Sequence, residues 1–275
     1  MISLLERSFQ LIPGIGPYRE RDLWARGFCD WSQFEQGAAK EVVASKRLDE
    51  QLLAAIATAR AALAAKDLAA LAKLLPEREH FRLYPHFVDQ AVFFDLEADG
   101  EREITVAGLF DRQGVATFIR GRDLQQLPRR LAQSPLWVTF NGRAFDVPVV
   151  RGHFSQLQAP LVHLDLRFLA RTARLKGGLK SIEDKLGWAR PPHLKGVRGL
   201  DAMRLWNEAV FNKRHDALKI LVEYNLYDAI SLRGLLEWCL LEVEELWGHA
   251  PSGSRRQIFE RGDVLYDVSR LVLSL

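Results

Sequence analysis

Apolar and polar positions change their period along the chain. Residues 1–80 are helical in texture. Two apolar-periodic segments flank the tight turn Leu11-Ile12-Pro13-Gly14-Ile15-Gly16-Pro17. Asp49 to Leu75 is rich in Ala and Leu, with no Gly or Pro inside, which predicts helix up to Pro76. Near residue 81 the texture turns to β-type runs. Ala91-Val92-Phe93-Phe94, Ile104 to Phe110 and Val115 to Ile119 predict a three-stranded antiparallel meander, with polar Asp111-Arg112-Gln113-Gly114 between the last two strands. A helix over Asp123 to Gln133, a buried strand over Leu136 to Phe140, a helix starting near Phe145 and a short strand over Leu161 to Leu164 follow. From Ala202 to Trp247 the pattern is mostly helical. Five strands alternating with helices after an opening meander predict an α/β domain with a mixed sheet, over 81–248. Residues 1–80 form a small all-helical region. Residues 249–275 read as a linker, from Ala250 to Arg256, and a tail.

Composition narrows the classes. The chain has 275 residues, 48% of them hydrophobic and 27% charged, enough for one large domain or a medium and a small one. No apolar run approaches the ~20 residues of a membrane helix. The N-terminal stretch carries Glu6 and no long apolar run, so it is not read as a signal peptide. Cys29 and Cys239 form no CxxC, which argues against a zinc site or a disulfide framework; a reduced, cytoplasmic setting is expected. His86, His153, His163, His215 and His249 have no metal-ligand spacing.

The candidate chemistry lies in three acidic motifs. Asp95 and Glu97 are two apart in a strand, so both carboxylates leave the same face, at the strand end where open α/β sheets place ligand sites. Asp146 follows Asn141-Gly142-Arg143-Ala144-Phe145 at the start of a helix. Tyr224 and Asp228 are four apart in a helical pattern, on one face. Taken singly, each has an ordinary explanation: a solvated turn, a carboxylate at a helix dipole, an exposed Asp beside a half-buried Tyr. Together they supply four carboxylates and a phenol. Mg²⁺ and Mn²⁺ are hard cations that take such oxygen donors, and two of them about 3.5–4 Å apart can drive in-line phosphodiester hydrolysis. The Tyr224 hydroxyl can orient the attacking water.

These motifs resemble Exo I, Exo II and Exo III of the DEDD exonucleases in the ribonuclease H-like superfamily. Asp95 and Glu97 match DxE; Asn141, Gly142, Phe145 and Asp146 match the second motif; Tyr224 to Asp228 matches YxxxD of the tyrosine-containing DEDDy branch. Asn225 and the segment Leu179-Lys180-Ser181-Ile182-Glu183…Leu186-Gly187 make the chain similar to the YprB-type predicted exonucleases. The resemblance spans roughly residues 81–240. It implies a ribonuclease H-like five-stranded mixed sheet flanked by helices, and Asp95, Glu97, Asp146 and Asp228 as ligands of two divalent cations, Mg²⁺ or Mn²⁺. Tyr224 would position water. The implied activity is 3′→5′ hydrolysis of single-stranded DNA or RNA ends. The rival readings are a nucleic-acid-binding module of the same fold with little activity, a structure-specific endonuclease using the same carboxylates, and a structural or adaptor protein.

Charge clustering suggests where nucleic acid would lie. Residues 167–198 hold Arg167, Arg171, Arg174, Lys176, Lys180, Lys185, Arg190, Lys195 and Arg198 against only Glu183 and Asp184, a local +7 in a chain of net +3. Gly177-Gly178 would let backbone approach a phosphate. Trp188 and His193 are candidates for base stacking, and Asn141 for a strand contact. In the N-terminal region, Gly14 and Gly16 sit in a turn that resembles a helix-hairpin-helix motif, whose backbone N–H groups present to DNA phosphate.

Overall fold

The structure, a computed structural model, describes residues 3–40, 43–197, 199–250 and 268–273. Arg198 and most of the expected linker, residues 251–256, lie outside the described residues. The chain divides into two compact units, Met1–Val88 and Asp89–Leu275.

The first unit is helical: α1 (Pro17–Ala25), α2 (Trp31–Ala38), α3 (Lys46–Ala64), α4 (Leu68–Leu74) and a 3-10 segment, Glu77–His86. Asp30 and Ser45 cap α2 and α3 by accepting from Gln33 and Leu48 backbone N–H groups. The Ala/Leu-rich run over 49–75 is not one helix. It breaks at Lys66, which adopts φ +54°, and restarts because Asp67 accepts from the Ala70 N–H as an N-cap. The arm before the Gly/Pro turn also departs from expectation. Residues 4–7 are turns, so only α1 flanks the hairpin as a regular helix.

The second unit is the mixed five-stranded sheet flanked by helices that the alternation predicts. β1 (Ala91–Ala98), β2 (Ile104–Asp111) and β3 (Gly114–Ile119) form the antiparallel meander; β4 (Leu136–Thr139) and β5 (Val162–Asp165) add in parallel beside β1, giving the order β3-β2-β1-β4-β5. Val92, Phe94 and Leu96 of β1 pack into one core layer with Trp137 and with α5 (Leu127–Leu131) and α6 (Asp146–His153). Phe94 meets Trp137 edge-on at 5.4 Å. The alternate residues of β1 face the other way. There lie α7 (Leu166–Thr172), α8 (Leu179–Leu186), α9 (Gly199–Phe211) and α10 (His215–Leu246), with a second core of Val106, Leu221, Val222 and Tyr227 among others. The middle of α10, from Leu221 to Leu232, is buried residue after residue, as befits a helix enclosed on all sides. The short helix Ser269–Leu273 belongs to this layer through buried Val268 and Val272. Among the described residues, no helix is long and apolar enough to cross a membrane.

Candidate metal centre

The site is built where β1 outruns its parallel neighbour. The last β1–β4 pair is Phe93↔Val138, while β1 continues to Ala98. Beyond that point the Leu96 N–H donates to Asp146 Oδ1 at 3.0 Å. A first-turn carboxylate of α6 thus takes up a strand donor that the ladder leaves over. The loop that brings Asp146 there is held by Asp165 at the end of β5. Its carboxylate accepts from the backbone N–H groups of Asn141 at 2.8 Å, Arg143 at 3.1 Å and Arg167 at 3.0 Å. Asn141 adopts φ +65°, and the next residue must be Gly, because a Cβ at Gly142 would collide with Thr139 Oγ1.

From the other layer α10 brings Tyr224, Asn225 and Asp228 against β1. Gly108 of β2, paired with Asp95 across the sheet, permits this approach: a Cβ there would lie 2.5 Å from Asn225 Oδ1 and 3.2 Å from the Asn225 carbonyl oxygen. Fully buried Asn225 donates from Nδ2 to Asp95 Oδ2 at 2.8 Å and to the Asp95 carbonyl at 3.1 Å. Helix and strand are therefore joined through the carboxylate itself, which fixes its orientation.

The result is convergence. One carboxylate oxygen each from Asp95, Glu97 and Asp228 lies within 4.8 Å of the others. Asp146 stands outside that triad, on the Leu96 N–H, yet its charge reaches Asp95 and Glu97. Burial, then the charges of Asp228 and Asp146, push the Asp95 carboxyl well above its ordinary range. Burial and Asp228 push Glu97 up to about 8. Burial raises Asp146 to about 7 against the opposing pull of the backbone N–H groups it accepts. Burial, then the charges of Asp228, Glu97 and Asp95, hold the Tyr224 phenol far above its usual range, so it remains protonated. Asp228 also meets two cations. Lys180 Nζ lies 2.8 and 3.1 Å from its two oxygens, and Arg190 Nη2 lies 2.5 Å from Oδ1. Arg190 is itself clamped by Glu183, through Nε at 2.8 Å and Nη2 at 2.6 Å.

The donor set fits a hard divalent cation: oxygen ligands only, crowded together, with Asp95, Glu97 and Asp146 held above the ordinary carboxylate range where added positive charge is missing. Asp95, Glu97 and Asp228 would hold it, with Asp146 alongside. Among the described residues, no histidine or cysteine joins this group.

Of the expected nucleic-acid contacts, Asn141, Arg171 and Lys176 share a concave groove of about 730 Å³ with Phe140, Arg167 and Gly177-Gly178. Arg174 is exposed nearby in sequence but does not line it. Lys180 turns instead to Asp228, and Arg167 donates to Asn141 Oδ1. Trp188 is buried, which removes it from base stacking, and His193 is exposed but paired with Glu223 at 2.7 Å. Gly14 and Gly16 belong to the first unit, in the hairpin before α1. Glu20, in the first turn of α1 beside that hairpin, is buried and accepts from the Phe9 N–H at 2.9 Å and from Arg82 at 2.7 Å, so it is a structural acid there.

Sequence reasoning gave no role in this centre to Asp165, Asn225, Arg190 or Gly108. Asn225 entered only as a mark of resemblance; its complete burial against Asp95 shows only once α10 is packed on β1.

An antiparallel meander extended by two parallel strands, with carboxylates converging at the point where the sheet changes sense, defines a ribonuclease H-like fold with an acidic cluster compatible with divalent metal. A family model described as RNase_H superfamily matches residues 92–240, more than half of the chain, and the chain belongs to that superfamily. Its members are for the most part nucleases. Among curated proteins and solved structures, none matches the chain.

Proposed function

We propose that this protein is a 3′→5′ exonuclease of the tyrosine-containing DEDDy branch, of YprB type, that hydrolyses single-stranded DNA or RNA ends and releases nucleoside 5′-monophosphates. The observation that carries the reading is the convergence of Asp95, Glu97 and Asp228 within 4.8 Å. Asp95, Glu97, Asp146 and Asp228 hold two divalent cations, Mg²⁺ or Mn²⁺. Such ions, when bound, supply Lewis-acid activation of water and charge neutralisation at the phosphate. Tyr224, kept protonated by its burial and its acidic neighbours, donates a hydrogen bond that orients the water. Asn225 and the Leu96 N–H keep Asp95 and Asp146 in place. The strand backbone runs along Asn141 and along Arg171, Arg174, Lys176 and Lys180, whose positive charge suits phosphate contacts. The hairpin at Gly14 and Gly16 offers backbone N–H groups to a DNA phosphate.

The test is release of mononucleotides from oligonucleotides labelled at either end, with Mn²⁺, for wild type and Asp95→Ala. The reading expects a ladder shortening from the 3′ end, absent in the variant. Shortening from the 5′ end, internal cuts on circular substrate or activity retained by Asp95→Ala would overturn it.

A further inference from the structure

We propose that Lys180 serves two partners in turn: it is the resident counter-ion of Asp228 while the carboxylate cluster is metal-free, and a ligand of the substrate phosphodiester once the cluster is loaded. The inference rests on the nuclease reading above.

Its basis is a contrast between the two cations on Asp228. Arg190 is held on Glu183 by the Nε–Nη2 edge of its guanidinium, and its side chain is only 10% exposed. It is a fixed part of the wall. Among the described residues, Lys180 pairs with no carboxylate but Asp228. Its ammonium reaches both Asp228 oxygens, lies 4.2 Å from the centre of the Tyr224 ring and is 34% exposed at the solvent side of a carboxylate that is 6% exposed. Its positive charge also acts on Asp95 and Glu97, so it bears on all three members of the triad. A divalent cation held by these three carboxylates would face the ammonium as a like charge at short range. The lysine stem is a flexible four-carbon chain, and its compact charge is exchanged between partners more readily than a forked guanidinium. It springs from the first turn of α8, next to Gly177 and Gly178, which line the same groove as Arg171 and Lys176. A released ammonium therefore stands between the carboxylates and the basic groove, where a phosphodiester bridging the two would pass.

The substitution that isolates the charge is Lys180→Met, with Lys180→Arg as the charge-preserving control. Mn²⁺ affinity is measured by titration calorimetry on the full chain, and turnover of a single-stranded oligonucleotide is measured at saturating Mn²⁺. K180M is expected to bind Mn²⁺ more tightly, by about tenfold, while turnover falls by about 10–100-fold, the range typical of residues one step removed from a metal. K180R is expected to keep wild-type Mn²⁺ affinity. A purely structural lysine would not move the two readouts in opposite directions. Equal Mn²⁺ affinity of K180M and wild type would overturn the counter-ion role; tighter binding with wild-type turnover would overturn the phosphate role. A wild-type chain that binds no Mn²⁺ is a different failure, that of the nuclease reading.

Discussion

Each unit of this protein buries carboxylates, and the two do so in opposite ways. In the helical unit Glu20 is saturated. It accepts from Ser8 Oγ at 3.1 Å, the Phe9 N–H at 2.9 Å, Gln10 Nε2 at 2.9 Å and Arg82 Nη2 at 2.7 Å, while Arg82 also pairs with Glu79 at 2.9 Å. In the sheet unit Asp95, Glu97 and Asp228 crowd one another, with Asp146 close by, and only Asp228 meets cations. The first arrangement holds a fold together. The second stores repulsion that a bound cation would relieve. A buried acid reads as functional when its neighbours are other acids, and as structural when they are donors.

The comparison breaks most sharply under charge removal. Asp95→Asn is expected to abolish hydrolysis, by about a thousandfold or more, as loss of a ligand in a two-metal site should. At pH 8 the same change should raise the melting temperature of the EDTA-treated protein, because it removes an acid that ionises freely in the unfolded chain but resists ionisation in the folded one, and keeps an oxygen for Asn225. Arg82→Met should do the reverse. It should cost the helical unit about 3–5 kcal/mol by stranding Glu20 and Glu79, measured by urea unfolding, with the carboxylate cluster untouched. If both variants shift stability in the same direction, the contrast is wrong.

Tyr224→Phe is the next step down. It should lower turnover by about a hundredfold with little change in stability or Mn²⁺ affinity, as the proposed role of orienting water requires. A loss of Mn²⁺ binding instead would make Tyr224 part of the metal shell.

A pH titration sharpens the electrostatic side. Glu97 and Asp146 hold protons in the folded, metal-free protein up to about 8 and about 7, whereas the unfolded chain releases them near 4.5 and 3.8. Between those limits the native state binds more protons, so stability falls as pH rises from about 4 to about 8. Melting temperatures of the EDTA-treated protein should decline across that window. Mn²⁺ affinity should climb across it, because binding must expel the same protons.

The smallest effect is on the surface. Arg171→Glu should weaken oligonucleotide binding and make its salt dependence shallower, by about one unit of slope for the phosphate that Arg171 neutralises. An unchanged slope would return the basic segment to plain solvated surface.

Much of the site was legible from local periodicity. The two-residue spacing of Asp95 and Glu97 and the four-residue spacing of Tyr224 and Asp228 follow from strand and helix geometry alone, and both pairs lie on the predicted elements. What was not legible depends on partners remote in sequence. Asn225 reaches Asp95 across 130 residues, and Asp165 reaches Asn141 across 24. No local pattern marks either one. Arg190 and Lys180 looked like members of a basic surface cluster, and only the packing of α8 and α10 turns them onto Asp228. The break at Lys66 was hidden for another reason. It needs neither Gly nor Pro, only an aspartate able to cap the next helix.

The central claim, that the acidic cluster is built to receive divalent cations, is tested most directly by thermal unfolding of EDTA-treated wild type and Asp95→Asn at pH 8 as Mn²⁺ is added. The wild type should start lower and rise steeply with Mn²⁺ as binding stabilises the folded state, while Asp95→Asn should start higher and respond weakly. Equal responses of the two proteins, or a wild type indifferent to Mn²⁺, would contradict it.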